Sequence, residues 1–254
     1  MKQKRIPLVG EQYLVPFILI TSLFFLWGFA HAILDVLNKH FQELLDITKA
    51  HSAFIQAMMY MGYFVMAIPA GLFISRFGYR RGVVFGLVLY GVGSLLFIPG
   101  QYYLSFNMFL FALFVIGCGL TFLETAANPY VTILGPIESA AKRMSIMGLF
   151  NKIAGMIGIF WLSKVLFSDM SSLSESLKML TGSAREMELD LLAQRIVPPY
   201  IGIAVGLVLL AFMVLMAKLP KVENQESESE KSQHRSIFSF PYLWLGVLAL
   251  FLYV

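Results

Sequence analysis

An all-α membrane protein is the fold class this sequence predicts: a six-helix bundle followed by a shorter seventh apolar segment. Apolar residues make up 58% of the 254 and charged residues 13%, against roughly 25% charged in soluble domains. The apolar runs reach about the 20 residues that a helix needs to cross a bilayer core, and six are complete. Lys and Arg gather in alternate connections. The net charge of +4 is therefore read through its distribution along the chain and is no nucleic-acid signal. Cys118 is the single cysteine and lies in an apolar run, which excludes an intramolecular disulfide and a Cys-rich metal site.

The predicted spans are 13–38, 52–75, 82–100, 107–133, 143–168 and 198–217, with a partial one over 241–254. Lys2, Lys4 and Arg5 followed by an apolar run and Ala30-His31-Ala32 imitate a signal peptide. The run exceeds the usual 7–15 residues of such a segment and more spans follow, so it reads as a retained first helix. That helix can continue through Phe41-Gln42-Glu43-Leu44. The connection 169–197 carries five acids and three bases with leucines near helical spacing, which predicts an outward loop with one short amphipathic helix. The stretch 218–235, with Glu226-Ser227-Glu228-Ser229-Glu230, predicts disorder. The last segment falls short of a full crossing, so the chain reads as the front half of a larger membrane protein. The expected organisation is a six-helix bundle over 1–217, a cytoplasmic linker over 218–236 and an incomplete seventh helix over 237–254.

Twelve of the nineteen Lys and Arg residues fall on the side of the amino terminus, five on the other side, and Lys152 and Lys164 within a span. By the positive-inside rule the amino terminus is cytoplasmic. Asp35, Glu124 and Lys152 lie at membrane depth, where each unpaired charge costs about 2.5–3.5 kcal/mol, or on the order of 8–10 kcal/mol together. Such groups must face partners or a wet cavity. Glu124 and Lys152 each sit nine residues from the inner end of their predicted spans, about 13–14 Å deep by the helical rise. A Lys152 ion pair with Glu124 or Asp35 is thus one expectation, and it does not exclude function.

Glu124 and Asn128 are four apart and share a helix face with Thr121, while Pro129 removes a backbone bond and weakens the helix. A carboxylate and an amide on one face suit sugar hydroxyls; the alternative is helix-packing glue. His31 and Asp35 share the same spacing, with Trp27 one turn earlier, and a carboxyl withdrawn from water prefers to hold a proton. Gln56, Tyr60 and Tyr63 form a polar-aromatic stripe on the second span. Gly148, Asn151, Gly155 and Gly158 form a small-residue stripe on the fifth, which predicts close helix packing, with Asn151 as a candidate ligand contact. No nucleophile–base set, phosphate loop or metal spacing points to an enzyme.

The loop Gly71-Leu72-Phe73-Ile74-Ser75-Arg76-Phe77-Gly78-Tyr79-Arg80-Arg81 offers glycines for a tight turn and arginines able to cap helix ends or pair with acids. It resembles the signature gating loop of the major facilitator superfamily, with Ser75 at its acidic position and Tyr79 at its first arginine. Phe24-Phe25-Leu26-Trp27-Gly28 leading to Asp35, Gln56 with Tyr60-Met61-Gly62-Tyr63-Phe64, and Leu123–Pro136 (LETAANPYVTILGP) resemble the fucose/glucose/galactose permease branch of that superfamily. The resemblance implies the N-terminal six-helix bundle of a twelve-helix sugar:proton symporter, with sodium as the other possible coupling ion and a C-terminal bundle as the missing partner. It places proton coupling on Asp35 and Glu124 and substrate contact on Glu124 and Asn151; Asn128, His31, Gln56 and Tyr60 complete the candidate sugar site. Gly71, Arg76, Gly78, Arg80 and Arg81 are the candidate gating residues. The family's asparagine-rich approach to the first carboxylate is His31-Ala32-Ile33-Leu34 here, a glutamine is replaced by Gly148, and Lys152 is an added charge. The implied partners are a small sugar, a cation and the bilayer, with no cofactor.

Overall fold

The computed structural model describes residues 7–44, 48–103, 105–167, 197–217 and 241–253, with isolated positions at Gly182, Ala184, Met187 and Gln194. The expected loop over 169–197 and the linker over 218–236 lie almost wholly outside the described residues. The helices are α1 (Leu14–Leu44), α2 (Lys49–Phe77), α3 (Tyr79–Leu95), α4 (Phe97–Tyr102), α5 (Phe106–Ile133), α6 (Ala140–Phe167), α7 (Val197–Met216) and α8 (Pro241–Tyr253). Among the described residues six segments are long and apolar enough to cross a membrane, and they overlay the six predicted spans. The chain divides into a unit over Met1–Val222 and a second over Glu223–Val254, and α8 belongs to the latter.

One boundary follows the longer sequence reading and one departs from it. α1 does continue to Leu44. The third span is two helices meeting at Leu96; Pro99 lacks the N–H that would reach Leu95 and crowds that carbonyl. Bonds from Leu96 N to Val92 O and Gly100 N to Leu96 O carry the path across the junction.

In the bundle α5 lies between α2 and α3, α1 runs along α6, and α7 packs on α3. Lipid tails are as apolar as leucine, so helices in a membrane associate through close packing of small residues. Gly117 and Gly119, two apart and hence on opposite sides of α5, do this. A methyl on Gly117 would overlap the Met59 carbonyl of α2, and one on Gly119 would fall 2.6 Å from Tyr90 N and 2.7 Å from Gly86 O of α3. Along α1, a methyl on Gly28 would overlap the backbone of Asn151, and one on Gly158 would reach the Ala32 methyl at 3.0 Å. The small-residue stripe of α6 thus packs as predicted at Asn151 and Gly158. Gly148 departs from it: it is exposed, with open space where a methyl would go.

The turn after α2 depends on Gly78, whose φ of 86° is a conformation L-residues avoid. Its N–H caps α2 through the Ile74 carbonyl at 2.8 Å. Gly71 lies inside α2 with open space around it, so the turn does not use it. At the other end Thr48 caps α2, accepting from His51 N at 3.2 Å.

Arg143, counted from sequence as a boundary charge, is fully buried. Its guanidinium donates from Nε to Val131 O at 2.8 Å, from Nη2 to Thr132 O at 2.8 Å and Gly135 O at 3.3 Å, and from Nη1 to Leu8 O, Pro136 O and Ser139 Oγ. The last carbonyls of a helix have no intrahelical donors, and Arg143 supplies them for α5. Carbonyl dipoles stand here in place of a carboxylate, tying α5, the start of α6 and the segment before α1 together.

Gly117→Val should lower the thermal midpoint of the complete protein in detergent, by an overpacking penalty of about 1–3 kcal/mol. Gly148→Ala should leave it unchanged or raise it, since alanine favours helix by up to about 1 kcal/mol. Equal effects of the two would refute the packing assignment.

Candidate functional site

Helical spacing gives α1 two adjacent working faces. Gly28 and Ala32 meet α6, while Phe24, Trp27 and His31 turn toward α2 and α5. The His31 ring lies 5.9 Å from Trp27, 6.4 Å from Tyr60 and 6.3 Å from Tyr63 between centroids, and Tyr60 and Tyr63 are 6.3 Å apart. An aromatic–imidazole cluster therefore bridges α1 and α2. Gln56, on the same stripe of α2, is exposed, as is Tyr60.

Glu124 stands two turns along α5 from Gly117 and on the same face. The close approach that seats α2 on α5 thereby sets where the carboxylate points. It is half-buried in a crevice lined by Leu23, Phe24, Trp27, Leu123 and Ala127. The crevice holds about 10 Å³ of free volume, room for one water molecule and far short of a sugar ring. Lys152 does not pair with it: among the described residues no ion pair joins them, and Lys152 is exposed on α6. The expectation rests on depth alone, and depth does not say which face of α6 turns inward. The pair does not form because the neighbouring Asn151, not Lys152, occupies the face of α6 that meets α1.

Polar atoms around the crevice are short of partners. Among the described residues, Trp27 Nε1 and Tyr63 Oη are buried with no partner in hydrogen-bond geometry, as is Tyr200 Oη on α7. Trp27 and Tyr63 lie beside one another, near enough for their polar atoms to approach each other, and Trp27 lines the Glu124 crevice. A buried donor left unpaired costs about 1–3 kcal/mol. The arrangement sets two donors next to a carboxylate acceptor, which is a set that hydroxyl groups satisfy. Neither atom stood among the sequence-derived site residues. The available signal was Trp27 one turn before His31, and Tyr63 one turn after Tyr60.

The remaining candidates divide. Thr121 Oγ1 donates to Gly117 O at 2.8 Å, so that hydroxyl serves its own helix. Asn128 is half-buried on the Glu124 face. Asn151 Nδ2 donates to the Phe24 carbonyl at 3.0 Å, which ties α6 to α1 at the rim of the crevice and leaves the amide oxygen for another partner. The backbone of Asp35 is in α1, but its side chain lies outside the described residues, and with it the proposed His31–Asp35 pair.

The arginine loop is at the end of the bundle where α2, α3 and α7 meet. Arg80 Nε donates to Val214 O at 3.3 Å, and its Nη2 donates to Leu215 O, capping α7 in the manner the loop predicted. Arg76 stays near the Phe77 ring, 5.5 Å from its centroid. Arg81 is exposed. Ser75 Oγ, at the acidic position of the loop signature, donates to Leu72 O at 2.9 Å.

With this geometry in hand, comparison with known proteins is decisive on the family. A profile of the Major Facilitator Superfamily matches residues 17–254. The L-fucose-proton symporter of Haemophilus influenzae is 36% identical over 230 residues, covering 85% of this chain and 52% of that protein. The glucose/galactose transporter of Brucella abortus is 32% identical over 235 residues, covering 92% of this chain and 54% of that protein. The chain thus spans about half the length of the curated relatives it matches. Among solved structures, the transporter FucP in its outward conformation superposes with a TM-score of 0.72 at 30% identity, over 94% of this chain and 56% of that one. A D-xylose-proton symporter shares the fold at a TM-score of 0.54 and 16% identity. The chain is a multi-pass membrane protein and belongs to the Major Facilitator Superfamily.

Proposed function

We infer that the complete protein imports a hexose or related sugar together with a proton across the cell (inner) membrane, with its amino terminus in the cytoplasm. The observation that supports this reading is a carboxylate in a membrane-length helix, Glu124, which among the described residues has no ion pair and stands beside the donors of Trp27 and Tyr63, themselves without a partner in hydrogen-bond geometry. A structural salt bridge would have consumed it. The printed functions of the relatives, fucose-proton symport and glucose/galactose transport, support the substrate class.

In this reading the sugar lies over the Trp27, His31, Tyr60 and Tyr63 rings, donates hydroxyls to Glu124 and meets Asn128, Asn151 and Gln56. Asp35 and Glu124 carry the coupling proton. The crevice around Glu124 is one wall of the site, and a second six-helix bundle supplies the other at the midplane. Arg80, gripping the end of α7, with Arg76, Arg81 and the Gly78 turn forms the cytoplasmic gate as the bundles rock. A charge moving through 100 mV supplies about 2.3 kcal/mol and one pH unit about 1.4. Together these sustain roughly several hundred-fold accumulation per proton.

Because the chain covers about half of its relatives, a second reading concerns the 254 residues alone: this bundle presents half a site and transports nothing without a partner half. Vesicles containing only this chain should show no proton-driven uptake of labelled glucose, galactose or fucose, while the version extended by its downstream reading frame should. Uptake by the short chain would refute the second reading. In the extended protein Asp35→Asn should abolish accumulation and spare exchange, and Glu124→Gln should weaken uptake at least tenfold or remove its pH dependence. Wild-type accumulation in both variants, or uptake driven equally by sodium without a proton gradient, would overturn proton symport.

Trp27→Phe and Tyr63→Phe separate a binding role from a packing role. Removing an unpaired buried donor should leave the thermal midpoint unchanged or raise it, relieving part of the roughly 1–3 kcal/mol penalty. Sugar affinity should fall about tenfold, the loss of roughly one hydrogen bond. Unchanged affinity measured by isothermal titration would remove both donors from the site.

A further inference from the structure

Outside the Glu124 site, one groove combines free cationic charge with an apolar track. It lies between the start of α3 and the end of α7, has a volume of about 410 Å³, and is lined by Arg80, Arg81, Val84, Phe85, Val88 and Leu215, with Phe73 of α2 at its edge. Arg80 cannot swing away, since its Nε and Nη2 hold the Val214 and Leu215 carbonyls. Arg81 is exposed and makes no hydrogen bond, ion pair or ring contact among the described residues. Two guanidinium groups therefore sit at one mouth of the groove, one held in place and one with all its donors available.

The apolar part of the groove has direction. Arg81, Phe85, Val88, Val92 and Leu95 follow one another at steps of four and three, a single stripe along α3. The last four are exposed large hydrophobics. At 1.5 Å per residue, Val92 lies about 16 Å from Arg81 along the axis, close to half of the roughly 30 Å hydrocarbon core. A soluble anion would use the arginines and ignore the stripe. A molecule with a phosphate at one end and a chain one leaflet deep would use both.

We propose that this groove between α3 and α7 is a binding site for one anionic phospholipid, its phosphate on Arg81 and Arg80 and an acyl chain along Phe85, Val88 and Val92. The arginines supply the preference for net negative headgroups, at about 1 kcal/mol per basic residue near the surface, which is about fivefold in affinity for Arg81 alone. Bound lipid would also cover Arg81 at the point where α2, α3 and α7 meet. The site shares Arg80 and Arg81 with the proposed gate but none of the sugar-site residues, so lipid retention and sugar uptake are read out separately.

Native mass spectrometry of the complete protein, with phosphatidylglycerol and phosphatidylcholine of identical chains added in equal amounts, tests it. Phosphatidylglycerol should be retained at least about fivefold over phosphatidylcholine. Arg81→Gln should bring the ratio near one, Arg81→Lys should keep most of it, and Val88→Trp should lose the lipid with both arginines intact. Arg76→Gln, outside the groove, should leave the ratio unchanged. Glycerol 3-phosphate should not compete. Equal retention of the two lipids by the wild type, retention unaffected by both Arg81→Gln and Val88→Trp, or displacement by glycerol 3-phosphate would each overturn the proposal. The last would indicate a free-phosphate site, and absence of any bound lipid would overturn the proposal as well, leaving the groove to a second bundle.

Discussion

Backbone-to-backbone contact at α5 positions everything else in the bundle. Within a bilayer, burial of apolar side chains does not distinguish one helix neighbour from another, because lipid is equally apolar. What remains is how closely two backbones approach. Gly117 admits the Met59 carbonyl on one side of α5, and Gly119 admits Tyr90 and Gly86 on the other. That choice sets the rotation of α5, and the rotation sets which way Glu124, seven residues after Gly117, faces. A carboxylate costing several kcal/mol at membrane depth is thereby held against Phe24 and Trp27 rather than toward lipid.

Two helix ends on one side of the bundle solve a different problem with the same side chain. Helix carboxyl ends leave carbonyls without donors, and where α5 and α7 finish, an arginine from another helix fills the role. Arg143 does so while buried, with every guanidinium nitrogen bonded to a carbonyl or to Ser139. Arg80 does so at the surface with part of its donor set. Lysine, with a point charge on a flexible stem, would not span such spread-out acceptors. These contacts also explain why charges that look like simple topology signals in the sequence do different work in the fold.

Span number, order and approximate ends were legible, because length and hydropathy are one-dimensional properties. The extension of α1 to Leu44 and the cap made by an arginine of the loop were legible for the same reason, being local. The failures are all matters of rotation. The Lys152–Glu124 pair was inferred from depth alone, and depth ignores which face each helix turns inward. Gly148 shares a stripe with Gly155 and Gly158 by spacing, yet it is exposed with open space where a methyl would go, while its neighbour Met147 is the residue that meets Thr21 of α1. Trp27 and Tyr63 entered the sequence reading only as neighbours of His31 and Tyr60, because an indole and a phenol read as packing until their N–H and O–H are seen without partners. Asp35 remains a sequence-based assignment.

The central claim is that sugar and proton share one site, so that each strengthens the binding of the other by the same factor. Adding sugar to the purified complete protein in weakly buffered solution near neutral pH, with a pH electrode as readout, tests this directly. The account predicts uptake of up to about one proton per sugar bound, and a matching loss of sugar affinity as pH is raised. Sugar binding confirmed by calorimetry, with no change in proton occupancy at any pH between about 5 and 9, would contradict it.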